Sequence, residues 1–162
     1  MELATPFVVV AAAHPSLDDA VRRFCDTLRA EGRSFAHRDA ASPRPTAALI
    51  RRLAPSTSGI TLAAVLHGEV IGLAGIDHST PDGPDLVVAV AAPWRRRGVA
   101  TALGTALVSR AHAAGVPRIV VRTDHRVSEL RELGTELGFR VFDVGRGRLD
   151  LVRSLEPAFR SA

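Results

Sequence analysis

The sequence predicts a layered α/β (α+β) domain, a mixed sheet flanked by helices. Two observations carry this. Short runs of β-branched and apolar residues recur along the chain, bounded by Gly, Pro and Asp. Between them lie segments whose apolar residues repeat at helical spacing, with capping residues before them and glycine after them. The elements read β-α-α-β-β-β-α-β-α-β-β. A hairpin followed by a β-α-β unit implies a mixed sheet with helices packed against it. At 162 residues, the chain is long enough for one well-cored domain, and residues 1–162 are expected to form it.

Phe7-Val8-Val9-Val10 opens the chain as a strand by its β-branched run. Ser16 precedes the acidic pair Asp18-Asp19, the expected start of a helix. That helix places Val21, Phe24, Cys25 and Leu28 on one face and stops at Gly32. Arg33 to Pro45 is irregular, and a second helix is expected over Thr46 to Leu53. Ile60–Leu66 and Val70–Ile76 are the arms of a hairpin turned at His67-Gly68-Glu69. Asp77 to Pro84 is rich in turn formers. Leu86 to Ala92 lacks polar alternation, as expected for a strand buried on both faces. A helix is expected over Arg97 to Ala114, ended by Gly115. Pro117 to Thr123 reads as another buried strand. Ser128 caps a short helix through Leu137, and Gly138-Phe139 opens a strand. Gly145-Arg146-Gly147 turns that strand into the last one, Arg148 to Arg153.

Composition narrows the function. Nearly half the residues are apolar, which argues against disorder. No apolar run is long enough to span a bilayer, and Met1 to Ala13 has neither a basic n-region nor a cleavage site. The single cysteine, Cys25, lies on an apolar helix face, so it reads as core, and a reducing cytoplasm is expected. There is no Lys, Tyr, Asn or Gln. All basic charge is arginine, a pattern of GC-rich coding, so the net charge of +4 says little about partners. Arg51-Arg52 and Arg95 to Arg97 are not interleaved with aromatics, and seventeen acidic residues dilute the field, so no nucleic-acid partner is expected. Histidine and cysteine spacings do not resemble a metal site.

The chemistry concentrates at Val90-Ala91-Ala92-Pro93-Trp94-Arg95-Arg96-Arg97-Gly98-Val99-Ala100. An apolar strand ends, the chain turns at Pro93, and a helix begins at a glycine. Backbone N–H groups at such a turn form an anion nest, and the positive end of the helix points the same way. Gly98 lets an anion approach the backbone. Ala100 and Thr101 keep the helix start slim, and three arginines add charged donors. The Gly-Lys-Ser/Thr of a P-loop and the three spaced glycines of a dinucleotide fingerprint are both missing. Trp94 is expected to cover the turn or to pack as a surface aromatic.

Arg95-x-x-Gly98-x-Ala100 resembles the Arg/Gln-x-x-Gly-x-Gly/Ala signature of the GNAT superfamily of N-acetyltransferases. The strand before it, Pro93, Thr101-Ala102-Leu103 and the later Glu136-Leu137-Gly138-Phe139 fall in that family's order, so the resemblance covers about Val65 to Leu155. The family fold is a mixed, mostly antiparallel sheet of about seven strands flanked by about four helices. Ser42 to Ile50 is similar to a subgroup acting on protein lysines. The resemblance implies acetyl-CoA as co-substrate and an amine as acceptor, a small molecule or a protein lysine. Arg95, Arg96, Arg97, Gly98, Val99, Ala100 and Thr101 would hold the diphosphate. Val88, Ala89 and Val90 would pair with the pantetheine, a backbone N–H near Val90 polarising the thioester. The strand Ile119 to Val121 would diverge from them to open a V-shaped gap. Members often dimerise, so a homodimer is left open.

An amine of pKa near ~10.4 must lose a proton to attack at neutral pH. Asp85 falls where the resemblance places a glutamate base, one methylene shorter, so a relaying water is expected. His78 is an alternative base. Family members often carry a tyrosine in the last helix that protonates the leaving thiolate; aligned on Gly138-Phe139, that position is Gly134. The asparagine often found at the start of this helix is also missing from Asp124-His125-Arg126-Val127. His125, Ser128 or water are therefore the candidate proton donors, with Asp77 and Asp124 read as turn formers. The competing reading is an acyl-CoA-binding sensor domain with weak turnover or none.

Overall fold

The computed structural model describes residues 6–12, 15–31, 60–77, 84–124 and 128–155. Among these residues seven strands form one sheet: β1 (Val8–Ala11), β2 (Thr61–Leu66), β3 (Glu69–Asp77), β4 (Asp85–Val90), β5 (Arg118–Asp124), β6 (Arg140–Gly145) and β7 (Arg148–Ser154). Their spatial order is β1-β2-β3-β4-β5-β7-β6. Every neighbouring pair is antiparallel except β4 and β5, which run parallel. Among the described residues there are three α-helices, α1 (Asp18–Ala30), α2 (Val99–Ala113) and α3 (Ser128–Glu136). The helix expected over 46–53 lies outside the described residues. This is the fold class the sequence predicts.

The turns follow from backbone sterics. His67 and Gly68 both have positive φ, 49° and 77°, and join Leu66 to its partner Glu69. Two left-handed residues in a two-residue loop match the twist of the flanking strands. Arg146 and Gly147 repeat the arrangement between β6 and β7.

Each sheet face carries its own helical layer. Ala20, Phe24 and Leu28 of α1 pack on Ala63, Val70, Leu73, Val87 and Ala91. Cys25 is buried, as the helix pattern predicts. On the other face, Leu103 and Leu107 of α2 and Leu130, Leu133 and Leu137 of the α3 segment cover Leu62, Ile76, Leu86, Ile119 and Leu151. Burying each such leucine stabilises the fold by roughly 1.5–3 kcal/mol.

β4 departs from the sequence reading. It ends at Val90 rather than Ala92, and Val88 and Ala89 are only half-buried. The reason is on its β5 side. Asp85↔Val120 is the one register pair joining β4 to β5. Beyond that rung the strands part, and β5 pairs with β7 along its whole length. The sheet is therefore forked, and Val88 and Ala89 wall the opening while still packing against the core on either face.

Candidate active site

Three segments converge at the fork. The first is the exposed edge of β4. Ala91 N–H donates to Ile71 O at 3.0 Å. Alternation along an antiparallel ladder then points the polar groups of Val87 and Ala89 at β3 and those of Val88 and Val90 away from it, into the gap. Arg95 Nε takes the Val90 carbonyl at 2.9 Å.

The second segment is the turn into α2. Ala92–Trp94 form one 3-10 turn, Arg96 adopts φ 62° and Gly98 φ 79°. Left-handed residues interspersed in a turn face successive N–H groups inward, which makes an anion nest. α2 begins at Val99, two residues later than the sequence pattern suggests, because Gly98 is its N-cap. No side chain caps it. The N–H groups of its first turn lack intrahelical acceptors, and the helix dipole adds positive potential there. A Cβ built on Gly98 would meet nothing within 4 Å, so the space over this backbone is open.

The third segment is α3. Glu129, Glu132 and Glu136 share one face of the helix and line the wall opposite the turn, above Leu130 and Leu133. Arg96 pairs with Glu132 at 3.1 Å, and the Thr101 hydroxyl donates to Glu136 at 2.9 Å.

Together these segments enclose a cleft of about 510 Å³. Val88, Ala89, Val90, Arg95, Arg96, Gly98, Val99, Ala100 and Thr101 all line it. Arg97 stands apart, its guanidinium 5.3 Å from the ring centre of Trp94, which itself lines the cleft. Leu28 reaches the cleft from α1, on the opposite face of the sheet. The fork is thus a passage through the sheet, open to both helical layers.

The catalytic candidates fall elsewhere. Asp85 sits at the root of the fork. It shares a sheet face with Val87 and Ala91, the α1 side, and its carboxylate lies 3.8 Å from Arg122. Both side chains are almost buried, 13% and 9% exposed. Ser128, the first residue of α3, is exposed, and its neighbour Glu129 is the one that reaches the cleft. His125 and His78 lie outside the described residues. Gly134 faces the sheet, where a Cβ would come within 2.1 Å of Leu151 Cδ2. The space a side chain would need at that position is filled by Leu151.

The sequence reading missed the acidic face of α3 and the part played by Glu31. The spacing of Glu129, Glu132 and Glu136 marks one helical face, so the first was readable as a stripe, though not its direction. Glu31 pairs with Arg95 from 64 positions away, and no local pattern announces it.

The model of the acetyltransferase (GNAT) family matches residues 23–139, a span that includes the fork, the turn and all of α3. The chain belongs to the GNAT acetyltransferase family. Solved structures agree on the fold. The GNAT domain of S. lividans PAT superimposes with a TM-score of 0.74 at 17% identity, covering 91% of this chain and 90% of that one. The yncA protein of Salmonella typhimurium, solved with its cofactor acetyl-CoA, gives 0.71 at 15% identity over 94% and 95%. A phosphinothricin acetyltransferase from Sinorhizobium meliloti, in complex with acetyl-CoA, gives 0.71 at 17% identity over 93% and 89%. No curated protein sequence matches the chain. Among the described residues of this GNAT protein, no helix is long and apolar enough to cross a membrane.

Proposed function

We propose that the protein transfers an acetyl group from acetyl-CoA to a primary amine. The observation that carries this is the join of two unsatisfied backbone features at one cleft. The uncapped turn 96–101 offers N–H donors to a diphosphate, and the free edge of β4 offers a ladder to the pantetheine amides. Both are built from backbone, and the open space over Gly98 fits a phosphate that must approach closely. The two relatives in complex with acetyl-CoA support the same assignment.

Bound acetyl-CoA supplies the thioester that an amine attacks. The chain's own residues hold and orient it. Val90 N–H faces the gap and polarises a carbonyl oxygen bound there, while Arg95 donates to the Val90 carbonyl. Leu28, Leu130 and Leu133 keep the passage apolar and exclude water. The acceptor enters from the α1 face, where Asp85 receives the ammonium proton directly or through water, with Arg122 beside it. Much of the acceleration comes from holding the two reactants together rather than from one side chain. His125 and Ser128 stay the candidate donors to the thiolate.

Thiol release from acetyl-CoA against a panel of primary amines tests the activity. Asp85→Asn should cut release with an accepted amine while acetyl-CoA still raises the melting temperature. Full turnover of Asp85→Asn across pH 6 to 9 would remove Asp85 as base. The packing of Leu151 against Gly134 favours a second reading, an acyl-CoA-binding domain with little turnover. That reading predicts the thermal shift without thiol release for any amine.

A further inference from the structure

The first residue of the Arg95-x-x-Gly98-x-Ala100 signature turns its side chain inward, along the end of β4. Its Nε donates to Val90 O at 2.9 Å, and a terminal nitrogen donates to Glu31 Oε2. Glu31 Oε1 accepts the N–H of Ala92 at 3.0 Å. One carboxylate therefore grips both the start of the 3-10 turn and the residue that follows it. Glu31 comes directly after α1, in the layer on the other face of the sheet from α2. The two side chains are 20% and 28% exposed, so the pair is well shielded. Charge-assisted bonds of this kind are stronger than neutral ones.

We propose that Glu31 is a positioning residue for the cofactor turn. Acting through Arg95, it fixes the backbone from Val90 to Arg95 and so the direction in which the donors of 96–101 point. This rests on the reading of that turn as the diphosphate site. Two consequences follow from the contacts. The Arg95 charge is neutralised inside the protein, which leaves the diphosphate to backbone N–H groups and Arg96. The α1 layer, which borders the acceptor side of the fork, becomes mechanically tied to cofactor binding.

The alternative role for Arg95, a direct phosphate ligand restrained by Glu31, predicts the opposite sign. Removing Glu31 would then free a cation and tighten binding. The chain's one tryptophan, Trp94, lines the cleft, so its fluorescence reports acetyl-CoA titrations without a label. Wild type, Glu31→Ala, Arg95→Ala and the double variant are titrated at fixed salt. Each single substitution should weaken acetyl-CoA about tenfold, as expected for loss of a charge-assisted hydrogen bond. The double variant should be no weaker than the weaker single, because both remove one unit. Acetyl-CoA should also slow amide exchange at residues 27–31 in wild type and not in Arg95→Ala. If Glu31→Ala fails to fold, Glu31→Gln keeps one acceptor oxygen for Ala92 N–H and turns a non-accepting NH2 group toward Arg95, and it should bind between wild type and Arg95→Ala. Binding by Glu31→Ala, or by Glu31→Gln in its place, that equals or exceeds wild type overturns the proposal, as does a fully additive double variant. A wild type that ignores acetyl-CoA overturns it together with the reading of the turn; a wild type that binds, with Glu31 variants that bind equally, overturns it alone.

Discussion

Two glycines of this chain, in different parts of the fold, have nearly the same positive φ. Gly98 has φ 79° at the start of α2, and Gly68 has φ 77° in the β2–β3 turn. A Cβ at either position would meet no atom within 4 Å. Alanine should therefore impose the same penalty at both, that of a side chain held in the left-handed region, about 1–2 kcal/mol. For a chain of this size each kcal/mol lowers Tm by roughly 2–4 °C. The two variants should melt several degrees below wild type and close to each other. Their affinities should separate. At Gly98 the methyl group stands in the space through which a phosphate reaches the backbone, and acetyl-CoA binding should weaken tenfold or more, equivalent to at least about 1.4 kcal/mol. At Gly68 binding should match wild type. Trp94 fluorescence and thermal unfolding with and without acetyl-CoA read both quantities. Equal affinities for the two variants would show that the anion does not sit over Gly98, and the diphosphate reading of the turn would fail.

Glu132→Gln should tighten acetyl-CoA binding by a few-fold at low salt, since it removes a like charge facing the diphosphate and releases Arg96 from an exposed pair worth about 0–1 kcal/mol; the same titration at several salt concentrations checks it. Leu103→Ala, at a fully buried site under the sheet, should cost about 2–5 kcal/mol in urea unfolding. Gly134→Tyr alone should destabilise the fold severely, because even its Cβ would lie 2.1 Å from Leu151 Cδ2, whereas pairing it with Leu151→Ala should restore folding and increase thiol release with an accepted amine. Unchanged release in the folded double variant would show that a phenol at this place does not serve as the acid.

What could be read from sequence depended on how local its cause was. Hairpin turns were legible because left-handed residues such as Gly68 and Gly147 leave a signature in two letters. The anion turn was legible because strand, proline, arginines and glycine follow one another directly. The start of α2 was placed at Arg97 rather than Val99, since nothing in the letters shows that Arg96 and Gly98 take positive φ. β4 read as doubly buried because its letters are apolar; the gap beside it depends on β5 choosing β7 as its partner, a pairing between distant segments. Asp85 is marked by position, while Arg122, its ionic partner across the fork, is one of several polar letters in its strand, beside Arg118, Thr123 and Asp124, and nothing local singles it out. The Glu31–Arg95 contact belongs to the same class: the signature marks Arg95, but Glu31 looks like an ordinary surface charge until the sheet brings the two together.

The single rung at Asp85↔Val120 makes the sheet two leaves hinged at one stitch. Main-chain bonding does not set how far the leaves stand apart beyond it. That spacing is dictated by the helices clamped across them, above all where Gly104 of α2 lets Leu137 seat closely, with its Cδ1 only 2.5 Å from where a Cβ would be. A bulkier residue at 104 would displace Leu137 and so shift the two leaves against each other, without altering any residue that walls the gap.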